Sequence, residues 1–162
     1  MYKYEIGDVV MYGVSGACEV VEIGSLAFAG PDKIYYTLRP VYDGRSTIYV
    51  PMSKEDDITR KSISEDVAKK FFDDHESFEG LDVEVTREEC DPIIKSGDYL
   101  TLARLITSIR NLRKQNKKVH KSLNIQEEKI LQDAERVFFS EMAVALGLTM
   151  NEVIDEYTAI LD

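Results

Sequence analysis

The first half of the chain alternates apolar and polar positions in short runs, whereas the second half repeats apolar positions every three or four residues. Alternating runs rich in Val, Ile, Tyr and Thr predict β-strands. Four such runs cover residues 8–12, 18–23, 34–39 and 47–50, and each is separated from the next by a glycine-containing break short enough for a hairpin. The pattern predicts a small, curled antiparallel sheet or SH3-like β-barrel.

From about residue 60 onward the periodicity becomes helical. Thr86, Asn124 and Thr149 each stand three residues before a glutamate, which is the spacing of a capping box. Asp98 fits the N-cap of a long helix over residues 99–120, and Gly97 and Gly147 fit helix ends. The predicted fold class is therefore α+β, with a small antiparallel β-barrel in residues 1–58 and an all-α domain in residues 59–162.

Charge is distributed unevenly along the chain. Lys and Arg total 20 against 30 Asp and Glu, so the net charge is −10 and a uniformly basic nucleic-acid binder is excluded. Residues 99–126, however, contain no acidic side chain. At about 100° per residue, six cations in this stretch fall within roughly 140° of one helix face, apart from the apolar face. They are Arg110, Arg113, Lys114, Lys117, Lys118 and Lys121.

This basic row has two interpretations. Lys and Arg neutralise phosphates and release counterions, which gives affinity for nucleic acid without reading its sequence. Alternatively, the row is a solvated helix end, where cations complement the helix dipole. The absence of any compensating acid across the stretch favours a directed patch.

Motifs for catalysis are missing from the sequence. No spacing typical of a nucleotide, zinc or hydrolase site is present. His75 lies among acidic residues that could bind a metal, but an exposed acidic turn is the simpler interpretation. Cys18 and Cys90 are too few for a disulfide framework. Because these motifs are missing, we expect a non-enzymatic protein with no metal, no cofactor and no small-molecule substrate. We also expect a cytoplasmic protein with no membrane partner, because neither a signal region nor a membrane-length apolar run is found.

Aromatic residues on the predicted strands suggest a protein-binding role for the first half. Tyr35, Tyr36, Tyr42 and Tyr49 are of the type enriched at interfaces. An exposed sheet edge can also accept a strand from a partner. For each tyrosine, burial in the core remains an equally good interpretation.

The order of these motifs resembles the CarD/CdnL family of bacterial transcription factors. Ile6–Tyr12, Gly16, Tyr35–Leu38 and Ile48–Pro51 are similar to that family's RNA-polymerase-interacting domain. In the second half, Lys95–Asp98, the long helix, Glu127–Ala134 and Ser140–Ala143 are similar to its helical DNA-binding domain. The resemblance spans nearly the whole chain in the right order.

The resemblance implies a mechanism. A Tudor-like first domain would dock on the β subunit of RNA polymerase by pairing strand edges, and the helical domain would lie on promoter DNA at the upstream edge of the bubble, modulating open-complex stability. It implies a monomer and adds Lys95 to the DNA-binding residues. The implied polymerase contacts are Leu26, Tyr35, Arg39, Thr47 and Tyr49.

The chain departs from the family at functional positions in both halves. Relatives often carry basic residues on the strands that contact polymerase, where this chain has Leu26 and Tyr49. Family members usually carry a Trp ahead of the Ser-Gly-Asp motif, where it wedges at the edge of the bubble, and this chain has no Trp. The corresponding region, residues 81–85, offers only aliphatic and acidic side chains. An alternative function therefore stays open: a protein-interaction module that binds RNA polymerase or another protein without direct DNA contact.

Overall fold

The first half of the chain folds into one antiparallel sheet. The computed structural model describes residues 2–74 and 79–161. Five strands are arranged in the order β4-β3-β2-β1-β5. Their bounds are β1 Val9–Tyr12, β2 Gly16–Leu26, β3 Gly30–Pro40, β4 Ile48–Pro51 and β5 Arg60–Lys61. The antiparallel sheet is confirmed, and β2 and β3 extend beyond the alternating runs. The β2–β3 register shifts twice, between Val20 and Glu22 and between Ser25 and Leu26.

One face of the sheet carries a small core, which a short 3-10 segment, Met52–Asp57, and the N-terminal residues flank. The Tyr36 hydroxyl donates a hydrogen bond to the Glu55 carboxylate and accepts one from the Tyr4 backbone N–H at 3.3 Å. Burial, followed by the bond to Glu55, raises the pKa of Tyr36 to about 12. The buried members are Tyr4, Val10, Cys18, Val20, Tyr36, Leu38, Val50 and Ile58.

The second half is helical, which together with the sheet confirms the predicted fold class. The helices are α1 Glu65–Asp73, α2 Arg87–Ser96, α3 Tyr99–Lys118, α4 Ile125–Leu146 and α5 Met150–Leu161. Reciprocal hydrogen bonds form between Asn124 and Glu127 at the start of α4, at 2.7 and 2.8 Å. Gly97 and Gly147 end α2 and α4 in the left-handed conformation. The starts and ends of these helices were predictable because local residues encode them.

The sheet and the helices meet along a seam centred on α4. Met11 and Ala17 of the sheet belong to the helical core rather than to the small sheet core. The Ala17 N–H donates to Ser140 Oγ at 2.9 Å. β5 pairs with β1, so the sheet continues beyond residue 58, where the sequence pattern placed the domain boundary. The two halves therefore share a core.

A buried ion pair reinforces this seam. Glu141 is fully buried and pairs with the Arg60 guanidinium, whose Nη2 lies 2.8 Å from Glu141 Oε1. Glu141 also accepts the Ile63 N–H at 2.8 Å, and Arg60 donates to the Gly97 carbonyl. The pairing raises the pKa of Arg60. The sheet end, α2 and α4 are thus tied together by one set of hydrogen bonds.

Several sequence-based expectations concern absent features. His75 lies outside the described residues. Within residues 2–74 and 79–161, no group of three or more His, Cys, Asp or Glu side chains could hold a metal ion. In the same residues no single helix is long and apolar enough to cross a membrane, and α4 with α5 reaches that length only across a bend of 105°.

Candidate functional site

The α3 helix presents different surfaces in its two halves. Its first half lies in the helical core, with Leu102, Leu105, Ile106 and Ile109 fully buried. Asp98 caps the helix by accepting the Leu100 N–H at 3.3 Å. Beyond Ile109 the apolar face thins out, because only Leu112 packs partly against the core. The last two turns of α3 therefore extend past the core and face solvent.

An exposed cation row occupies these last turns and the turn that follows. Its members, all exposed, are Arg113, Lys114, Lys117, Lys118 and Lys121. Lys95 is also exposed, but it lies near the end of α2, four residues before α3 begins. At 1.5 Å per helical residue, the row begins about 20 Å further along α3. The structure therefore does not join Lys95 to the row.

Arg110, the first of the six cations in the predicted row, differs from the other five because its side chain has partners on neighbouring helices. Its side chain is only 12% exposed. Nε donates to Glu135 Oε2 at 3.0 Å and Nη1 donates to Thr158 Oγ1 at 2.9 Å. The guanidinium also lies 5.3 Å from the Tyr157 ring centroid. Arg110 thus holds α3 against α4 and α5, and an angular pattern on α3 alone could not reveal partners on other helices.

The acidic segment 79–85 lies along a different side of α3 from the cation row. Arg104 binds it through the Glu79 and Gly80 carbonyls, each at 3.2 Å. Ser108 Oγ accepts the Leu81 N–H and donates to the Leu81 carbonyl. At about 100° per residue these anchors lie more than 100° from the middle of the row. The anchors of segment 79–85 on α3 therefore lie away from the middle of the cation row.

Residues 81–85 of the same segment correspond in sequence to the region that carries the family's Trp. Leu81, Val83 and Val85 are half-buried and pack against the helical core. None of these three side chains is exposed, because the anchors on α3 and the bond from the Glu84 N–H to Glu89 hold the segment down. This region offers no projecting apolar side chain.

A partly exposed aromatic cluster lies on the sheet, formed by the exposed Phe28 and Tyr49 and the half-buried Tyr35. Phe28 stands in the turn between β2 and β3 and is 71% exposed. Its ring centroid lies 5.3 Å from that of Tyr49 in an edge-to-face arrangement and 6.3 Å from that of Tyr35. Such a patch of rigid aromatic area is suited to bind another protein.

The predicted polymerase contacts lie on or directly before the strands that carry this cluster. Thr37 is opposite Tyr49 in the β3–β4 register, so alternation places Tyr35, Arg39 and Tyr49 on one face. Thr47 is exposed just before β4, and Leu26 is half-buried at the end of β2. Among the described residues β4 pairs with β3 alone, which leaves its other edge open.

Sequence reasoning missed Phe28, although a signal was present. A large apolar residue in a hairpin turn has no core to enter, so it is exposed unless something covers it. The other two tyrosines take different roles: Tyr36 is buried in the sheet core, and Tyr42 packs against the Arg136 guanidinium at 5.5 Å. Of the four tyrosines, Tyr36 therefore lies in the core, whereas Tyr35, Tyr42 and Tyr49 are partly or fully exposed.

Comparison with protein families identifies the class. Residues 4–62 match the model described as the CarD-like/TRCF RID domain, and residues 86–158 match the CarD C-terminal domain. These domains define RNA-polymerase-interacting transcription factors and point to a non-catalytic role. The chain belongs to the CarD/CdnL family, which confirms the resemblance seen in the sequence. A comparison with curated proteins finds no match.

Proposed function

We propose that this protein docks on the β subunit of RNA polymerase through its sheet and contacts promoter DNA near the upstream edge of the bubble through α3. This bridging would modulate the stability of the open complex during initiation. The observation that supports DNA contact is the exposed cation row on a molecule whose net charge is −10. We further propose that the protein acts as a monomer in the cytoplasm.

The row has the size and charge to follow a phosphate backbone. From Arg113 to Lys118 it spans about 8 Å of helix, and Lys121 extends it into the following turn. The nearest acidic positions along the chain are Asp98 and Glu127, and Glu127 is engaged in the capping box of α4. Tethering to the polymerase would raise the local concentration of DNA, so modest affinity suffices.

Charge reversal in the row tests the DNA contact. Lys117→Glu with Lys118→Glu is expected to reduce duplex affinity strongly and to flatten the slope of log K against log salt by about 2, since each lost phosphate contact removes about 0.9. The matched control is Lys54→Glu with Lys70→Glu, an equal charge change at two exposed lysines elsewhere. Equal loss in both double variants would refute the assignment of the row.

The aromatic cluster supports the polymerase contact. Aromatic anchors dominate binding energy at many interfaces, because they bury a large area with few rotatable bonds. The open edge of β4 is immediately beside Tyr49, so strand pairing and side-chain contact could be made together. We propose Phe28 as an anchor in addition to the five residues that the resemblance implied.

Removal of the central ring tests this docking surface. Phe28→Ala in the full chain is expected to weaken binding to the β subunit about 30-fold, the loss typical of a hot-spot residue. Tyr42→Ala is the control, since Tyr42 is a partly exposed aromatic residue that packs on Arg136 instead of the cluster. Unchanged binding by Phe28→Ala, measured by fluorescence anisotropy, would contradict the proposed surface.

A second candidate function is a protein-interaction module that binds polymerase without touching DNA. The loss of Arg110 to an internal ion pair with Glu135 favours it, because the available row is shorter than the sequence suggested. The two functions separate in one assay: binding of the full chain to a promoter duplex without polymerase, across a salt series. A steep salt dependence supports bridging, and no binding at low salt supports the module.

A further inference from the structure

An open cavity of about 460 Å³ lies between the N-terminal residues and β2. It is lined by Tyr2, Tyr4, Glu5, Ile6 and Ile23. Ile6 is 63% exposed and Tyr2 is 47% exposed, so two large apolar side chains of the lining face solvent. Neither the DNA contact nor the polymerase contact proposed above uses this cavity.

The cavity and the aromatic cluster lie on opposite faces of the sheet. Ile23, which lines the cavity, is opposite Tyr36 in the β2–β3 register. Tyr36 contacts the rings of Tyr2 and Tyr4, whereas Tyr35, the residue before it in β3, belongs to the cluster. Because successive side chains of a strand point to opposite faces, a partner could occupy the cavity without covering the cluster.

Tyrosine rings make the surroundings of the cavity attractive to a cation. The rings of Tyr2 and Tyr4 both contact the Tyr36 ring edge-to-face, with centroids 6.5 and 5.9 Å away, which limits the positions they can take. The Lys3 Nζ already lies 5.8 Å from the Tyr4 centroid, as expected for a cation near the face of an aromatic ring. The exposed part of the Tyr2 ring is left to contact a second cation.

Two oxygen acceptors of the lining lack a partner. Among the described residues that line the cavity, Glu5 alone is charged, and within residues 2–74 and 79–161 its carboxylate makes no hydrogen bond or ion pair. Tyr4 is only 3% exposed, and its hydroxyl likewise makes no hydrogen bond in those residues. Since no fully buried side-chain oxygen or nitrogen there is left without a partner, the Tyr4 hydroxyl belongs to the small part of this residue that solvent reaches.

We infer that this cavity binds an arginine side chain presented by a segment of a partner protein. The guanidinium would lie against the Tyr2 ring, pair with the Glu5 carboxylate and donate a hydrogen bond to the Tyr4 hydroxyl. The aliphatic stem of the arginine would pack on Ile6 and Ile23. Arginine suits this lining because it joins a planar, weakly hydrated cation to an apolar stem.

Other side chains are less suitable for the same cavity. The ammonium group of lysine is compact and strongly hydrated, and it cannot form two parallel hydrogen bonds with the Glu5 carboxylate. An apolar side chain would cover that carboxylate and the Tyr4 hydroxyl without giving either a hydrogen-bond donor, which costs free energy. The lining therefore favours arginine over both.

Titration of the isotope-labelled full chain with blocked tripeptides, followed by NMR amide shifts, tests this binding. The probes are acetyl-Ala-Arg-Ala-amide and the same peptide with Lys or Gln at its centre. The arginine peptide is expected to shift the amides of residues 2–6 and of Ile23. The lysine peptide is expected to bind about threefold more weakly, since it loses the paired hydrogen bonds. The glutamine peptide, which has no charge, is expected to shift none of them.

Matched variants of the lining separate its contributions. Glu5→Gln keeps the size of the side chain and removes its charge, so it is expected to weaken the arginine peptide about fivefold, as for a partly exposed ion pair. Glu88→Gln, the same change at an exposed glutamate on α2, is the control and should leave affinity unchanged. Tyr2→Leu is expected to weaken binding about threefold because the ring is lost, whereas Tyr2→Phe, which keeps the ring, should bind like wild type.

Several results would overturn the arginine site. One is the absence of amide shifts at residues 2–6 and Ile23 with the arginine peptide. Equal affinity for the glutamine peptide would show that the cavity takes an uncharged chain, and an equal loss in Glu5→Gln and Glu88→Gln would show general charge attraction. Tighter binding of free arginine than of the blocked peptide would assign the cavity to a small amine ligand instead of a protein segment. Amide spectra of the variants without peptide verify that each one folds.

Discussion

Gly16 is the position where the sheet passes closest to α4, and replacing it tests the seam directly. A Cβ atom built on Gly16 would lie 2.5 Å from Ser140 Oγ, 3.1 Å from the Arg136 carbonyl oxygen and 3.2 Å from the Val137 Cα. Two of these three neighbours are backbone atoms of a helix and cannot rotate away. Gly16 also has φ 74° and ψ −140°, a region that only glycine enters easily.

The cost of Gly16→Ala follows from these two effects. The backbone conformation costs a non-glycine residue about 1–3 kcal/mol. Overpacking against a helix costs about 1–3 kcal/mol more. We therefore expect the free energy of unfolding to fall by about 2–6 kcal/mol. Part of this comes from displacement of Ser140 Oγ, which would lengthen its bond from the Ala17 N–H, now 2.9 Å.

Urea unfolding followed by far-ultraviolet circular dichroism measures this loss. The matched control is Gly44→Ala, where the new Cβ would meet no atom within 4 Å. Gly44→Ala should stay within about 1 kcal/mol of wild type, as expected where alanine fits without strain. A Gly16→Ala protein as stable as Gly44→Ala would show that the sheet does not pack against α4 as described.

Two further predictions concern buried polar groups. Glu141→Ala should destabilise the protein by about 3–5 kcal/mol in urea unfolding, because Arg60 and the Ile63 N–H lose their partner; Glu141→Gln should lose less, since it keeps an acceptor, and equal losses would argue against the ion pair. Tyr36 keeps a pKa of about 12 when folded, against 10.0 when unfolded. Its stabilising effect should therefore be complete below pH ~10 and fall as pH rises toward ~12. The tyrosinate absorbance of wild type minus that of Tyr36→Phe should rise together with unfolding, and a rise of this difference near pH 10 in the folded protein would contradict the prediction.

Local signals predicted the fold well. Capping residues, glycine stops and the two hydrophobic periods depend on residues close in sequence. The helices and the antiparallel sheet could therefore be predicted from the sequence alone. β5 was not predicted, because Arg60 and Lys61 carry no strand pattern and pair only through β1. The boundary at residue 58 was placed on the polar stretch that separates the strand pattern from the helical pattern.

The candidate surfaces were only partly accessible from the sequence. The basic row was visible in the sequence as a stretch without acidic residues. The sequence did not show that Arg110 on α3 binds Glu135 on the neighbouring helix α4. The exposed position of Ile6 could not be predicted, and that of Phe28 was indicated only by its place in a hairpin turn. Whether a large apolar residue in a turn is covered depends on what packs above it, and this is a tertiary property.

The seam between the halves has a consequence for how the molecule moves. Because Ala17 is hydrogen-bonded to Ser140 and Arg60 is bonded to Glu141, no free hinge separates the sheet from the long helices in the part of the chain that the structure describes. A tilt imposed on the strands is therefore transmitted to the far end of α3 with little loss. The two halves therefore move together. The orientation in which a partner binds the sheet also sets the direction of the C-terminal end of α3, which carries the cation row.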